Sequence, residues 1–173
     1  IVIDLPVNIF NASYESIFVY DNYIYVIYEA NGVRINKNPI AKRISKDLKT
    51  VENIDFDSIE YRITDVSSFD KTGRGWAINY FWPGDADHYL PDEDAIPNNF
   101  AEVNNVEFGV ERIIPLIISD NKIQYDISRD PVYIKKEMRS DSYNWEGIVT
   151  YRNNSFIIVT DKFPQTKLRF LKK

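Results

Sequence analysis

Cysteine is absent from these 173 residues, so neither disulfides nor thiolate chemistry is available. That absence does not by itself identify a compartment. The one histidine, His88, cannot build an ordinary zinc site without further His or Cys ligands. No G-x-S-x-G turn accompanies it, which removes the usual Ser-His-Asp arrangement, and His88 reads as a surface residue. A P-loop and a G-x-G-x-x-G fingerprint are missing as well, which argues against nucleotide-driven chemistry. Gly 6 and Pro 8 are too few for a low-complexity or disordered chain. No apolar run approaches the roughly 20 residues of a membrane-spanning helix, and no secretory leader pattern is read. Basic residues cluster only at Lys42-Arg43 with Lys46 and Lys49, at Lys135-Lys136 and at Lys172-Lys173. With a net charge of -5, this excludes a generic nucleic-acid binder, because phosphate binding needs clustered Lys and Arg.

What the chain has instead is Tyr, Phe, Ile and Val, with 14% aromatic residues, a composition that packs well on pleated sheets. It also repeats itself. Tyr14 to Glu29, YESIFVYDNYIYVIYE, recurs as Trp145 to Asp161, WEGIVTYRNNSFIIVTD, with Glu15 on Glu146 and Glu29 on Asp161. A weaker copy runs from Thr64 to Tyr80, with Asp65 in the place of Glu15. Each copy reads as a hairpin, turning at Asp21-Asn22, at Lys71 to Gly73, and at Asn153-Asn154.

Further strands are expected at Ile1 to Leu5, Ile40 to Ile44, Val51 to Ile54, Val106 to Ile118, Lys122 to Ile127, Val132 to Lys135 and Lys167 to Leu171. An acidic, proline-containing insertion from Asp85 to about Asn105 is long enough to be functional or mobile. The expected fold is all-β: a single partial β-propeller domain over 1–173. Its three four-stranded antiparallel blades fall near 6–57, 58–128 and 129–173, the last lacking a strand. A β-sandwich built from the same hairpins is the alternative. Three blades do not close a ring of about four to eight, so the missing blades would come from the same precursor or from another chain. Ile at position 1 fits a mature, trimmed or partial product.

Five motifs carry a family resemblance: NWEGIV (Asn144 to Val149), VTDKFP (Val159 to Pro164), YEANG (Tyr28 to Gly32), EYRITD (Glu60 to Asp65) and GWAINYFWPGD (Gly75 to Asp85). Together they resemble bacterial secreted or lipoprotein-type six-bladed propellers of the "esterase-like activity of phytase" family. More distantly, they are similar to calcium-binding lactonase and strictosidine-synthase-like enzymes. The similarity covers what would be the C-terminal half of such a protein. It implies an extracellular or periplasmic location and, in some relatives, calcium-dependent hydrolysis. Ser16 departs from the Glu-Gly pair present at Glu146-Gly147.

In a propeller, the start of the first strand and the end of the second lie at the same rim. Glu15, Glu29, Asp65, Glu146 and Asp161 are therefore expected around one mouth of the channel. Carboxylates gathered there repel unless a cation sits among them. Ca²⁺, taking about six to eight oxygen ligands, would serve, with Asn79 and backbone carbonyls as supplements. The alternative is that these acids accept backbone N–H bonds or pair with Arg62, Arg74, Lys162 or Arg169, and a buried acid paired to Arg62 needs no ligand at all. Tyr61, Arg62, Tyr80, Trp82 and Lys162 are placed at the same mouth as ligand-binding candidates. Arg62 offers a planar fork for an anion and Trp82 a stacking platform for a sugar. No nucleophile is evident. The functional expectation is ligand binding through a carboxylate-rich rim, the ligand being a small molecule, carbohydrate or phosphoester. The alternative is a calcium-dependent phytase-like or lactonase-like ester or phosphoester hydrolase.

Overall fold

The computed structural model describes residues 1–136, 138, 142–152 and 155–173. Among the described residues strand accounts for 44% and helix for 4%, so the fold is all-β. Strands β1 (Tyr14–Tyr20), β2 (Tyr23–Tyr28), β3 (Ile40–Ser45) and β4 (Val51–Phe56) form one antiparallel meander. Strands β5 (Arg62–Val66), β6 (Arg74–Phe81), β7 (Val110–Ser119) and β8 (Lys122–Tyr125) form a second. The short strand β9 (Val132–Tyr133) adds to β7. A separate three-stranded sheet follows, made of β10 (Trp145–Tyr151), β11 (Ser155–Thr160) and β12 (Leu168–Leu171). The insertion after β6 opens with a 3-10 turn, Pro83–Asp85, and the short helix α1 (Ala86–Tyr89).

The turn chemistry explains the meanders. Asp21 (φ 52°) and Asp120 (φ 51°) take up the left-handed conformation that a two-residue hairpin turn demands, and each is followed by Asn. The corresponding Asn153-Asn154 turn lies outside the described residues. The first two meanders join through a short parallel contact of β4 with β8 (Asp55 with Lys122, Phe56 with Ile123), giving the order β1-β2-β3-β4-β8-β7-β6-β5. The far ends of this path approach each other. Ala30 bridges Arg62, and the Ile63 N–H donates to Glu29 O (2.9 Å), so the eight-strand path curls into a nearly closed, barrel-like sheet.

The second meander is the middle layer. Alternate residues on β6 and β7 face opposite ways. Ala77, Ile114 and Leu116 close one core with Phe18, Tyr25, Ile27, Ile54 and Phe56 of the first meander. Trp76, Ile78, Tyr80 and Ile113 close another with Trp145, Ile148, Phe156 and Ile158 of the third sheet. Burial on both faces accounts for the near-continuous burial along these two strands.

The three hairpins also share a defect. Between Tyr14 and Ser16, between Ile63 and Asp65, and between Trp145 and Gly147, one extra residue is inserted against the partner strand. This bulge corrects the residue-type alignment: Thr64, not Asp65, stands where Glu15 and Glu146 stand, and Asp65 matches Ser16 and Gly147. Gly147 is small for a reason, because a Cβ there would meet Val159 Cγ1 at 2.4 Å.

Two further expectations are revised. Residues 1 to 5 read as a short β-like run but pair with no strand. The acidic insertion is not a free loop. Arg112, fully buried, donates to both Asp94 oxygens (2.6 and 3.0 Å) and to Asn79 Oδ1 (2.7 Å). Glu60, also buried, accepts from Asp92 N (3.1 Å) and Val33 N (3.0 Å).

Candidate functional site

The starts of β1, β5 and β10 lie side by side, β5 in the middle, and Glu15 and Glu29 of the first hairpin meet there around the Arg62 guanidinium, with Glu146 of the third hairpin near them. Arg62 Nε donates to Glu29 Oε2 (2.5 Å), and its NH2 faces both Glu15 oxygens (3.4 Å each). Glu29 is wholly buried and fully used. Its Oε1 accepts from Ser13 N (2.8 Å), and its Oε2 also accepts from the Tyr89 hydroxyl (3.1 Å). Burial works against the charge of Arg62, but Glu29, Tyr89 and Glu15 outweigh it, and the guanidinium pKa is raised. Arg62 thus supplies a positive charge to Glu29 and Glu15. Among the described residues, no group of three or more His, Asp or Glu is arranged to hold a metal ion.

The other acids divide by partner. Glu146 accepts from Asn144 Nδ2 (2.7 Å), and burial, with Asp161 and Glu29 nearby, raises its carboxyl pKa against the help of Asn144 and Arg62. Asp65 stands apart from the guanidinium. Its Oδ2 accepts from Ile148 N (2.8 Å), tying β5 to β10, while burial raises its pKa. Asp161 is exposed at the end of β11, its N–H donating to Asn144 O (2.9 Å).

Of the three raised carboxyls, that of Glu15 is displaced most. Burial, then the Glu29 charge, push its carboxyl up to about 7 even with Arg62 opposing. The native state therefore binds this proton where the unfolded chain has already released it, between its ordinary carboxylate range and about pH 7. Stability falls as pH rises through that window and levels off above it. Glu15→Gln is expected to flatten this slope, Asp65 and Glu146 keeping the remainder, and to raise the melting temperature at pH 8 by a few degrees. Thermal unfolding of both proteins from pH 5 to pH 8 reads the difference, and parallel curves would refute the assignment.

Of the ligand-binding candidates, the structure brings three together. Tyr80, Trp82 and Lys162 line one open cleft of about 340 Å³ with Ser142 and Asn144. Tyr80 leaves β6 directly opposite Arg62, so this cleft adjoins the carboxylate cluster. The Tyr80 hydroxyl hydrogen-bonds Ser142 Oγ (2.5 Å), and burial pushes its phenol up to about 12. Lys162 Nζ donates to Ser142 O (2.6 Å) and stands 5.6 Å from the centre of the Tyr143 ring. Trp82 is 50% exposed, whereas Trp76 and Trp145 are 4% and 1%. Its ring lies over Gly84, where a Cβ would come within 2.4 Å of it. Arg62 lines a smaller neighbouring pocket with Asp85, His88 and Tyr89. Tyr61 belongs elsewhere. It is buried against Phe81 (5.2 Å between centroids) and under Arg112 (5.5 Å).

Sequence reasoning passed over Ser142, Asn144, Arg112 and Glu111. Glu111 accepts from Tyr143 N (2.7 Å) and Trp145 Nε1 (3.0 Å), which pins the third sheet to the second. The signal was available: a Glu-Arg pair inside the apolar run VERIIPLII has to be paired if that strand is buried. No protein-family model, curated protein or solved structure matches the chain.

Proposed function

We propose that the two four-stranded meanders and the separate three-stranded sheet are successive propeller-type blades and that the rim of this array binds a neutral carbohydrate without catalysing a reaction. Support for the blades comes from the bulge shared by the three hairpins and from the side-by-side strands β1, β5 and β10. The observation that carries the binding reading is Trp82. It is a half-exposed indole seated on Gly84 in a cleft whose other walls are the hydroxyls of Tyr80 and Ser142, the amide of Asn144 and the ammonium of Lys162. An apolar ring face bordered by hydrogen-bonding groups matches the apolar face and hydroxyl rim of a sugar. The carboxylates beside it are held by Arg62, Asn144 and backbone N–H groups, and they serve as the frame that fixes the cleft.

Intrinsic fluorescence tests this reading, because Trp82 is the exposed one of the three tryptophans. Titration with maltohexaose, cellohexaose and chitohexaose is expected to shift the emission saturably for at least one of them. Trp82→Ala should weaken that binding at least tenfold, about 1.4 kcal/mol, with unfolding unchanged. A flat titration across the three sugars, or equal affinity in Trp82→Ala, would refute the proposal.

A further inference from the structure

The third sheet carries an open edge, and the chain carries a segment shaped to fill it. Both preceding meanders have four strands, but β10–β12 has three, and among the described residues no strand pairs with the outer side of β12. Lys167 O accepts from Thr160 N (3.0 Å), so Lys167 turns its backbone groups toward β11. By the alternation of an antiparallel ladder, Leu168 and Phe170 turn theirs outward. The side chains of these two residues lie on the face of the sheet away from the core, beside Val149 and Tyr151. Exposures there are 74% for Leu168, 56% for Phe170, 55% for Val149 and 43% for Tyr151. An apolar edge with unpaired N–H and C=O groups is a template for an added strand.

Residues 1 to 5, IVIDL, are the candidate occupant. They are apolar, irregular and exposed, at 64% for Ile1, 91% for Val2 and 45% for Leu5, and Pro6 ends any ladder they could join. Their length suits β12, which has 4 residues. Asp4 would bring the segment's one charge to a strand flanked by Arg169, Lys172 and Lys173. Within one molecule, the segment is held at the first sheet: the hydroxyl of Tyr14 donates to Asp4 O (3.2 Å) and that of Tyr28 to Val7 O (3.1 Å). The third sheet packs on the opposite face of the middle layer.

We propose that the outer edge of β12 is a docking site for residues 1 to 5 of a second copy of this chain, added as the fourth strand of the third sheet. Two copies can exchange segments reciprocally and close as a dimer; a one-way exchange would continue into larger chains.

The experiment measures mass in solution by light scattering from about 5 to 200 μM, for the full chain, for a chain lacking residues 1–5, and for Phe170→Pro. Proline at 170 removes an outward-facing N–H that the molecule does not use internally, so the β11–β12 ladder is kept and the added strand loses its donor. Self-association of the full chain, lost on deletion and weakened at least tenfold by Phe170→Pro with circular dichroism unchanged, is the expected result. A full chain that stays monomeric to 200 μM overturns the proposal. So does association that survives the deletion, which would mean that the apolar face itself is the contact. Should Phe170→Pro fail to fold, Leu168→Pro, at the first residue of the strand, replaces it with the same expectation.

Discussion

Replacing Arg62 with Met is expected to lower folding stability by about 3–5 kcal/mol, the cost of leaving a buried charge without its partner. The side chain of Glu29 is fully enclosed, and after the substitution only Ser13 N and the Tyr89 hydroxyl would remain on it. An exposed ion pair such as Arg34 with Asp92 sets the contrast. Its partners are 56% and 35% exposed, and removing it should cost far less, because solvent already screens both charges. An unpaired buried carboxylate favours its protonated form. The deficit of Arg62→Met should therefore shrink as pH falls toward the carboxylate range and be largest above it. Adding Glu29→Gln should return most of the loss, because the charge that needed Arg62 is gone. Urea unfolding of the two single variants and the double variant gives the coupling between the residues. Additive losses would show that the pair does not act as one unit.

The second large effect is expected at Asp94. Its partner Arg112 is completely buried, and besides Asp94 it has only Asn79 Oδ1 (2.7 Å), the Tyr133 hydroxyl (3.3 Å) and the face of Tyr61. Asp94→Ala leaves a guanidinium in the middle layer without a counter-charge, and a loss of about 3–5 kcal/mol is again expected. It also cuts the link between the acidic insertion and the sheet. Hydrogen exchange should separate the two consequences. Amides of the insertion, such as Ile96 N, which donates to Asp94 Oδ1 (3.1 Å), should lose protection selectively, while the β6–β7 ladder exchanges only through the lowered global stability. Unchanged protection across the insertion would mean that Glu60 and Arg34 suffice to hold it.

These two ion pairs mark where the sequence could be read and where it could not. The hairpins were legible because apolar runs flank Asp-Asn turns, and hairpin ends bring their acids to one place. Glu15, Glu29 and Glu146 do assemble. What composition could not show was which acids Arg62 holds: Glu29 and Glu15 face it, whereas Asp65 accepts from a backbone N–H. The bulge was invisible for a different reason. It inserts a residue without changing residue type, so aligning by type set Asp65 on Glu15, while backbone register puts Thr64 there. Tyr61 was misplaced because it stands just before β5 in a left-handed conformation (φ 70°) and packs under Arg112 and against Phe81. The insertion read as loose because its acids have no partners nearby in sequence; the partner, Arg112, lies 18 residues on in a buried strand.

The most direct test of the central claim uses the three indole N–H signals of a ¹⁵N-labelled sample, one each from Trp76, Trp82 and Trp145. Titration with the oligosaccharide that shifts the fluorescence should move the Trp82 signal and the amides of Tyr80, Ser142, Asn144 and Lys162, leaving the indoles of Trp76 and Trp145 in place. Movement centred instead on the groove lined by Ile17, Asp65 and Thr150, or no movement at saturating sugar, would contradict a carbohydrate site at this rim.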